Sequence, residues 1–350
     1  MTGRAARSFR TVGRWARLLS RPGSTRGVRV FYGLHEIPGA GEPAGGGTVK
    51  IQRLARRFPN SPAGFNVLYL ASNTLPRDLR PLLWLARRRR APVVLNQDGV
   101  GYPGWAGDET EEVNRPLRTA LLAADHVLYQ SAFCKESADL FLGEPRGTWE
   151  VLHNAVDVER FTPAAARPTD GPVLLLGGDQ TQAYRVETAL RTLAALPDTR
   201  LLVAGSLVTP VGRLVEELGL EGRVELLGRY AQRDAPSIYR RAHLLLHTKV
   251  RDPCPNVVLE AMACGLPIVY PASGGTVELV GDDAGVGVLH GGDWDRDEPP
   301  DPEAFAEAVE RVLGVRARFS EAARLRAVEH FGLGAWLERH AELFERLSPR

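Results

Sequence analysis

The sequence predicts an α/β protein made of two Rossmann-like, doubly wound domains that face a central cleft, and two observations carry that expectation. From about residue 28 onward, short apolar runs alternate with helical patterns, the rhythm of βαβ units on parallel sheets. The rhythm stops at FTPAAARPTDGP, residues 161–172, which is rich in Pro, Ala and Thr and has no hydrophobic period, and then it restarts. Before the break the expected strands are VRVFYG (28–33), NVLYLAS (66–72), APVVLNQ (91–97) and HVLYQS (126–131). After it they are PVLLLGG (172–178), RLLVAG (200–205), RVELLG (223–228), AHLLLHT (242–248) and PIVYPAS (267–273), each followed by a helical stretch. The expected division is a basic arm over 1–26, a first domain over 27–163, a second over 164–330 and a closing helix over 331–350. Residues 301–347 read as two or three helices.

Composition narrows the function. The 350 residues are 44% hydrophobic and 25% charged, with a formal net charge of +2, which is too small to argue for a nucleic-acid partner. Cys134, Cys254 and Cys264 show neither CxxC nor Cys/His spacing, so no metal site is expected and a reducing, cytoplasmic setting is. No apolar run approaches the roughly 18 residues of a spanning helix. In the N-terminal arm, Arg4, Arg7, Arg10, Arg14 and Arg17 fall on one helical side, with Phe9, Val12, Trp15 and Leu19 on the other. Such a helix suits peripheral contact with the anionic inner face of a membrane; a solvated arm, or a helix docked on its own domain, is the alternative.

Gly-rich turns follow strands in both halves, where such sheets bind ligands. The first, GLHEIPGAGEPAGGGT (33–48), ends in Gly45, Gly46 and Gly47 before a helix at about 49–58; GGDQ and SGGTVE follow strands of the second half. Plain loop flexibility is the alternative for the triplet. The stretch DPCPNVVLEAMA (252–263) poses a sharper question, because Glu260 is surrounded by Val257, Val258, Leu259, Ala261, Met262 and Ala263. Pro255 suits a first helical position and Gly265 a helix end. The amides of Asn256, Val257 and Val258 would then be first-turn donors suited to a phosphate. Glu260, more than a turn inside, needs buried donors: a pair of sugar hydroxyls, or an arginine within the core.

This stretch resembles the retaining glycosyltransferases of the GT-B class, family 4 type, the group 1 glycosyltransferases. Their E-x7-E motif, A-M-A-C-G-like helix end and following S-G-G with a further Glu are matched by D-PCPNVVL-E-AMACGLPIV and SGGTVELV. YQSAFCKESADLFLG (129–143), EVLHNAVDVERFTP (150–163) and RVELLGRY (223–230) extend the resemblance over nearly the whole chain from residue 28. It implies that Glu260 binds the donor's ribose hydroxyls and that Asp252, where the family has Glu, contacts the transferred sugar. The amides of Asn256, Val257 and Val258 would hold the diphosphate, with Gly178, Gly274 and Gly275 around the donor, and no cofactor or metal would be needed.

Two departures stand out. After the first strand of the second domain, the family's Arg and Lys are replaced in GGDQTQAYRVE by Asp179 and Tyr184, leaving Arg185 as the cation of that loop, with Lys249 and Arg251 in reserve. Where the family often has a His, this chain has NQDGVGYPGW (96–105). There Asp98 is a candidate catalytic carboxylate, and Asn96 and Tyr102, with Gly46 and Gly47, are candidates for the acceptor side; an ordinary Asp-Gly turn is the alternative. DWD (293–295) mimics a metal-binding DxD but lies in a polar loop and reads as solvated surface. The expected activity is transfer of a sugar from a nucleotide-sugar donor to the hydroxyl of a glycan, lipid or small molecule, with retention. A nucleotide-sugar epimerase of the same architecture and a non-catalytic glycosyltransferase-like subunit are the alternatives.

Overall fold

A computed structural model describes residues 27–34, 36–39 and 46–348. The arm over 1–26 lies outside the described residues, as does most of the turn that ends at Gly45. Two wholly parallel sheets organise the rest, of five and six strands. The first contains β1 (Val30–Phe31), β2 (Val67–Ala71), β3 (Val93–Gln97), β4 (His126–Tyr129) and β5 (Thr148–Val151), in sequence order across the sheet. Its longer helices are α1 (Gly46–Arg57), α2 (Leu79–Arg89), α3 (Thr110–Leu121) and α4 (Ala132–Phe141), and a single turn lies at Pro103–Ala106.

Alternation along the strands decides which face each side chain serves. Leu68, Leu70, Val93 and Leu95 pack on α2, α3 and α4, while Val67, Tyr69 and Val94 face Ile51 and Leu54 of α1. A strand buried on both faces reads as a continuous apolar run, which is why VLYLA and VVL were recognisable.

The second sheet is built from β6 (Val173–Gly177), β7 (Arg200–Ala204), β8 (Val224–Gly228), β9 (Leu244–Leu246), β10 (Ile268–Pro271) and β11 (Gly285–Val288). Their spatial order is β11-β10-β9-β6-β7-β8, so the chain runs outward from β6 in one direction and resumes at β9 on the other side. Helices α5 (Ala183–Ala194), α6 (Gly212–Glu217), α7 (Ala235–Arg240), α8 (Asn256–Ala263), α9 (Thr276–Val280), α10 (Pro302–Gly314), α11 (Arg316–His330) and α12 (Leu333–Leu347) complete the described chain. Val258, Leu259 and Met262 of α8 pack with Ala323 and Ala327 of α11 on one face; α5 and α10 cover the other. Three helices thus fill 301–347, and 161–172 holds no regular element.

Strands β5 and β11 went unread in the sequence. The first is a largely exposed edge strand, and the second, GVGV, is half glycine, so neither has the apolar run that marks a buried strand.

Helix α12 leaves the second domain and returns to the first sheet. Phe344 and Leu343 are fully buried there, with Phe344 edge-on to Phe58 and Tyr69 at ring separations of 5.1 and 5.9 Å. Phe344→Ala would cost about 3–5 kcal/mol on the scale of aromatic truncations in cores. The crossing is tied by one parallel bridge, with Val156 N donating to Phe331 O at 2.8 Å and Leu333 N to Val156 O at 3.0 Å.

Candidate active site

The reversal of strand order between β6 and β9 leaves a crevice at their carboxyl ends, the place where open parallel sheets bind ligands. A cavity of about 330 Å³ lies there, walled by both domains. From the second domain come Gly177 and Gly178 at the end of β6, Arg185 at the start of α5, Lys249 and Asp252 after β9, and Asn256 and Val257 of α8. The first domain contributes Gly46 and Lys50 of α1, Asn73 and Asp98. The sites expected at Asp252, Asn256, Val257, Gly178, Lys249, Arg185, Asp98 and Gly46 therefore converge.

Two helices begin at this cavity, α1 at Gly46 and α8 at Asn256, and a Cβ on Gly46 would lie 3.1 Å from Asn256 Nδ2. Their positive dipole ends and first-turn amides favour an anion between them. Pro255 differs from expectation by one position: it is the N-cap, with extended backbone, and Asn256 is the first helical residue. The amide of Val258 donates to Pro255 O at 3.2 Å and its side chain is buried in the core, so Val258 does not face the cavity. The helix ends as expected, Gly265 adopting a φ of 68° with Leu266 N bonded to Ala261 O.

Arg185 is buried, and its Nη1 donates to Asp179 O at 2.8 Å. At the positions of the missing basic pair, Asp179 accepts from Ser206 N and Oγ at 2.8 and 2.6 Å, and Tyr184 OH accepts from Val250 N at 3.2 Å. Both brace the crevice loops. Asp252 stands 3.2 Å from Lys249 Nζ and 3.3 Å from His247 Nε2. Burial alone would raise its pKa, but Lys249, His247 and Arg185 outweigh it and hold the carboxyl well below the usual range.

Several candidates sit elsewhere. Asn96 is fully buried behind the cavity, where its Oδ1 accepts from Lys50 Nζ at 3.1 Å and Gln130 Nε2 at 2.8 Å, so it orders Lys50 rather than meeting an acceptor. Gln130 in turn accepts from Asn154 Nδ2, which also donates across the domain boundary to Cys254 O at 2.8 Å. Gly47 is buried in α1 against the Asn73 side chain, which a Cβ there would have to displace. Gly274 and Gly275 pack behind the Asp252–Pro253 backbone, Gly275 N donating to Asp252 O at 2.9 Å, and do not line the cavity. Arg251 turns away as well: its Nη1 pairs with Asp297 at 2.5 Å, and Asp297 also accepts from Tyr102 OH at 3.0 Å.

Glu260 does not line the cavity; its carboxylate is filled by protein side chains. Oε1 accepts from Gln232 Nε2 at 2.8 Å and lies 3.4 Å from Arg53 Nη2, and Oε2 accepts from Tyr239 OH at 3.0 Å. The core arginine, the competing expectation, is present, and it comes from α1 of the other domain. Burial pushes the Glu260 pKa up, against the pull of Arg53, Gln232 and Tyr239.

Lys50 and Arg53 were missed. Lys50, Arg53, Leu54 and Arg57 share one helical side, yet KIQRLARR also reads as a solvated basic face. The loop around DWD departs from expectation too. Asp293 and Asp295 are exposed, but Trp294 docks on the first domain, its carbonyl accepting from Gly104 N at 2.8 Å. Gly104 permits that approach, since a Cβ would sit 2.7 Å from Asp297 N. Glu278, the acid after Ser-Gly-Gly, accepts from the first amides of α4, Ala132 N at 2.8 Å and Phe133 N at 2.9 Å, and meets His153 Nε2 at 3.1 Å.

Comparison with known proteins places this geometry. Residues 157–326 match the family model described as glycosyl transferases group 1. The D-inositol 3-phosphate glycosyltransferase of Mycolicibacterium smegmatis is 33% identical over 193 residues, covering 50% of this chain and 43% of that protein. That of Mycobacterium leprae is 31% identical over 186 residues, covering 48% and 41%. The chain thus spans less than half the length of these curated relatives. Among solved structures, sucrose-phosphate synthase from Thermosynechococcus elongatus superposes with a TM-score of 0.68 at 20% identity, over 86% of this chain and 77% of that one. HepE of Anabaena in complex with UDP gives 0.65 at 19% identity, over 85% and 81%. The two parallel-sheet domains have the GT-B fold, and residues 157–326, a little under half of the chain, resemble the group 1 glycosyl transferases.

Proposed function

We propose that the protein is a glycosyltransferase that moves a sugar from a nucleoside-diphosphate donor to an acceptor hydroxyl, with net retention and without a metal ion. The observation that carries this reading is the anion seat: two helix N-termini facing one cavity, with Lys50, Arg185 and Lys249 in its wall. Each helix end contributes about 0.3–1 kcal/mol to an anion, and up to ~2 kcal/mol where partly buried. Cations must supply the rest as negative charge grows on the departing diphosphate. Lys50, Arg185 and Lys249 are the candidates to meet that charge.

In the proposed reaction the bond between the anomeric carbon and the diphosphate oxygen breaks, the acceptor oxygen bonds that carbon, and the acceptor proton leaves on the diphosphate. Asp252 is the candidate to meet the sugar hydroxyls, with Lys249 and His247 keeping it ionised. Glu260 is the candidate ribose clamp, and Gln232 and Arg53 hold its place until a nucleotide displaces them. Because HepE was crystallised with UDP, UDP is the first probe. Calorimetry with UDP, GDP and ADP, followed by incubation with the matching sugar donors and product analysis, tests the proposal. A chain that binds none of the nucleotides is not a transferase of this kind, and one that returns only an epimerised donor is an epimerase.

A further inference from the structure

Helix α2 carries a surface that the cleft does not use. Leu79, Leu82, Leu83, Leu85 and Ala86 are buried in the first domain, which leaves Arg80, Trp84, Arg87 and Arg88 exposed along a single helical stripe. Arg77 just before the helix and Arg90 at its C-cap are exposed as well and extend the stripe at both ends. None of the 11 residues of the helix is acidic. No carboxylate among the described residues forms an ion pair with Arg77, Arg80, Arg87, Arg88 or Arg90. The neighbouring α3 is balanced, with Glu111 and Glu112 against Arg115 and Arg118.

Two of these positions run against what a solvated helix would choose. The last-turn arginines complement the helix dipole and need no further cause. Arg80, however, stands in the first turn, at the positive end of the dipole, where a cation is disfavoured. Trp84 is 56% exposed, its ring met by the guanidinium of Arg88 one turn on, at 5.2 Å from the ring centre. Like charges crowded on one stripe repel, and an opposing surface of negative charge removes that cost. An indole gains by moving from water into the headgroup layer of a bilayer, where its apolar body is covered and its N–H stays solvated. One occupant answers both positions, a layer of anionic lipid headgroups. A nucleic acid would supply the charge, but one face of the ring on which a base would stack is already taken by Arg88.

We propose that the outer face of α2 is a membrane-docking surface, on which the arginines meet anionic lipid headgroups and Trp84 enters the headgroup layer. The contact is made by a folded helix held to the first domain by its leucines. It depends neither on the donor reading of the cleft nor on the arm over 1–26.

The test is sedimentation of the full chain with vesicles of phosphatidylcholine alone, or of phosphatidylcholine with phosphatidylglycerol, at low and moderate salt. Expected is binding to the anionic vesicles about tenfold or more tighter than to the neutral ones. Arg80→Gln, Arg87→Gln and Arg88→Gln combined should weaken it by about fivefold per arginine at low salt, the difference shrinking as salt is added. Trp84→Ala should weaken it by about fivefold at both salt concentrations, and Trp84→Phe, which keeps a ring, by much less. All four positions are exposed, so thermal melts matching the wild type show that the variants are folded. The arm is present in every variant, so the differences report α2 alone. Wild-type affinity in either the arginine variant or Trp84→Ala, or no preference of the wild type for anionic vesicles, overturns the proposal. Release of the protein from the vesicles by a DNA duplex at equal phosphate concentration also overturns it, since the surface would then take polyanions at large.

Discussion

Replacing Glu260 with Gln tests the ribose clamp, but the structure shows that the single variant has two effects. Arg53 and Glu260 are 3.4 Å apart with side chains 8% and 5% exposed, so removing the carboxylate's charge strands a buried guanidinium. Breaking one partner of a buried pair typically costs about 3–5 kcal/mol, which for a chain of this size lowers the melting temperature by about 5 °C or more. The double variant Glu260→Gln with Arg53→Met removes both charges and should recover most of that loss, to within about 1 kcal/mol. Nucleotide affinity should not recover. A carboxylate accepting from two ribose hydroxyls gains about 1.5–3 kcal/mol per charged hydrogen bond, and the amide forfeits at least one, so both variants should bind UDP about tenfold or more weakly. The assays are thermal melting and calorimetry side by side. If the double variant melts like the wild type and also binds UDP like the wild type, Glu260 is half of a structural ion pair and the clamp is wrong.

Other expectations follow from the same geometry. Arg185→Ala should lower kcat/KM by about tenfold or more, affecting diphosphate affinity more than nucleoside affinity, with Lys50→Met behaving alike; normal turnover in both would end this account of leaving-group stabilisation. His340, buried among Trp336, Tyr69 and Phe344, has its pKa pushed down from 6.5 to about 4 by burial. Between those values the unfolded chain binds the proton and the folded one does not, so stability is full above about pH 6.5 and falls by about 3 kcal/mol on acidification to about pH 4. Thermal melts at stepwise lower pH should therefore fall more steeply for the wild type than for His340→Leu. Glu278→Ala removes the acceptor of two α4 amides and of His153, and limited proteolysis within 161–172 should speed up; an unchanged rate argues against a role in holding the domains together.

Elements buried on both faces were legible in the sequence, because VLYLA, VLLLG and RLLVA carry their environment in their composition. The turn chemistry of α8 was legible to within one residue, since Pro255 and Gly265 punctuate the helix whether or not the rest of the protein is known. What could not be read was side-chain contact between residues far apart in the chain. Lys50 and Arg53 lie in a run of basic residues, and the partners that bury them, Asn96 for Lys50 and Asn256 and Glu260 for Arg53, are far away in the chain. Trp294 looked like loop surface because its partners, Phe133 and Tyr102, are some 160 to 190 positions away in the chain. Arg251, expected near the donor, is drawn off by Asp297, whose place is fixed by the docking of that same loop.

The return of α12 to the first sheet constrains motion as well as packing. The chain passes between the domains twice, and the bridge from Val156 to Gly332 sets the two passages side by side. Two adjacent tethers permit rotation about the line through them and resist sliding or separation, so the domains should swing like a door on a single pintle. A cut in the 161–172 stretch would sever one tether and leave the other, and the nicked halves should stay together in solution.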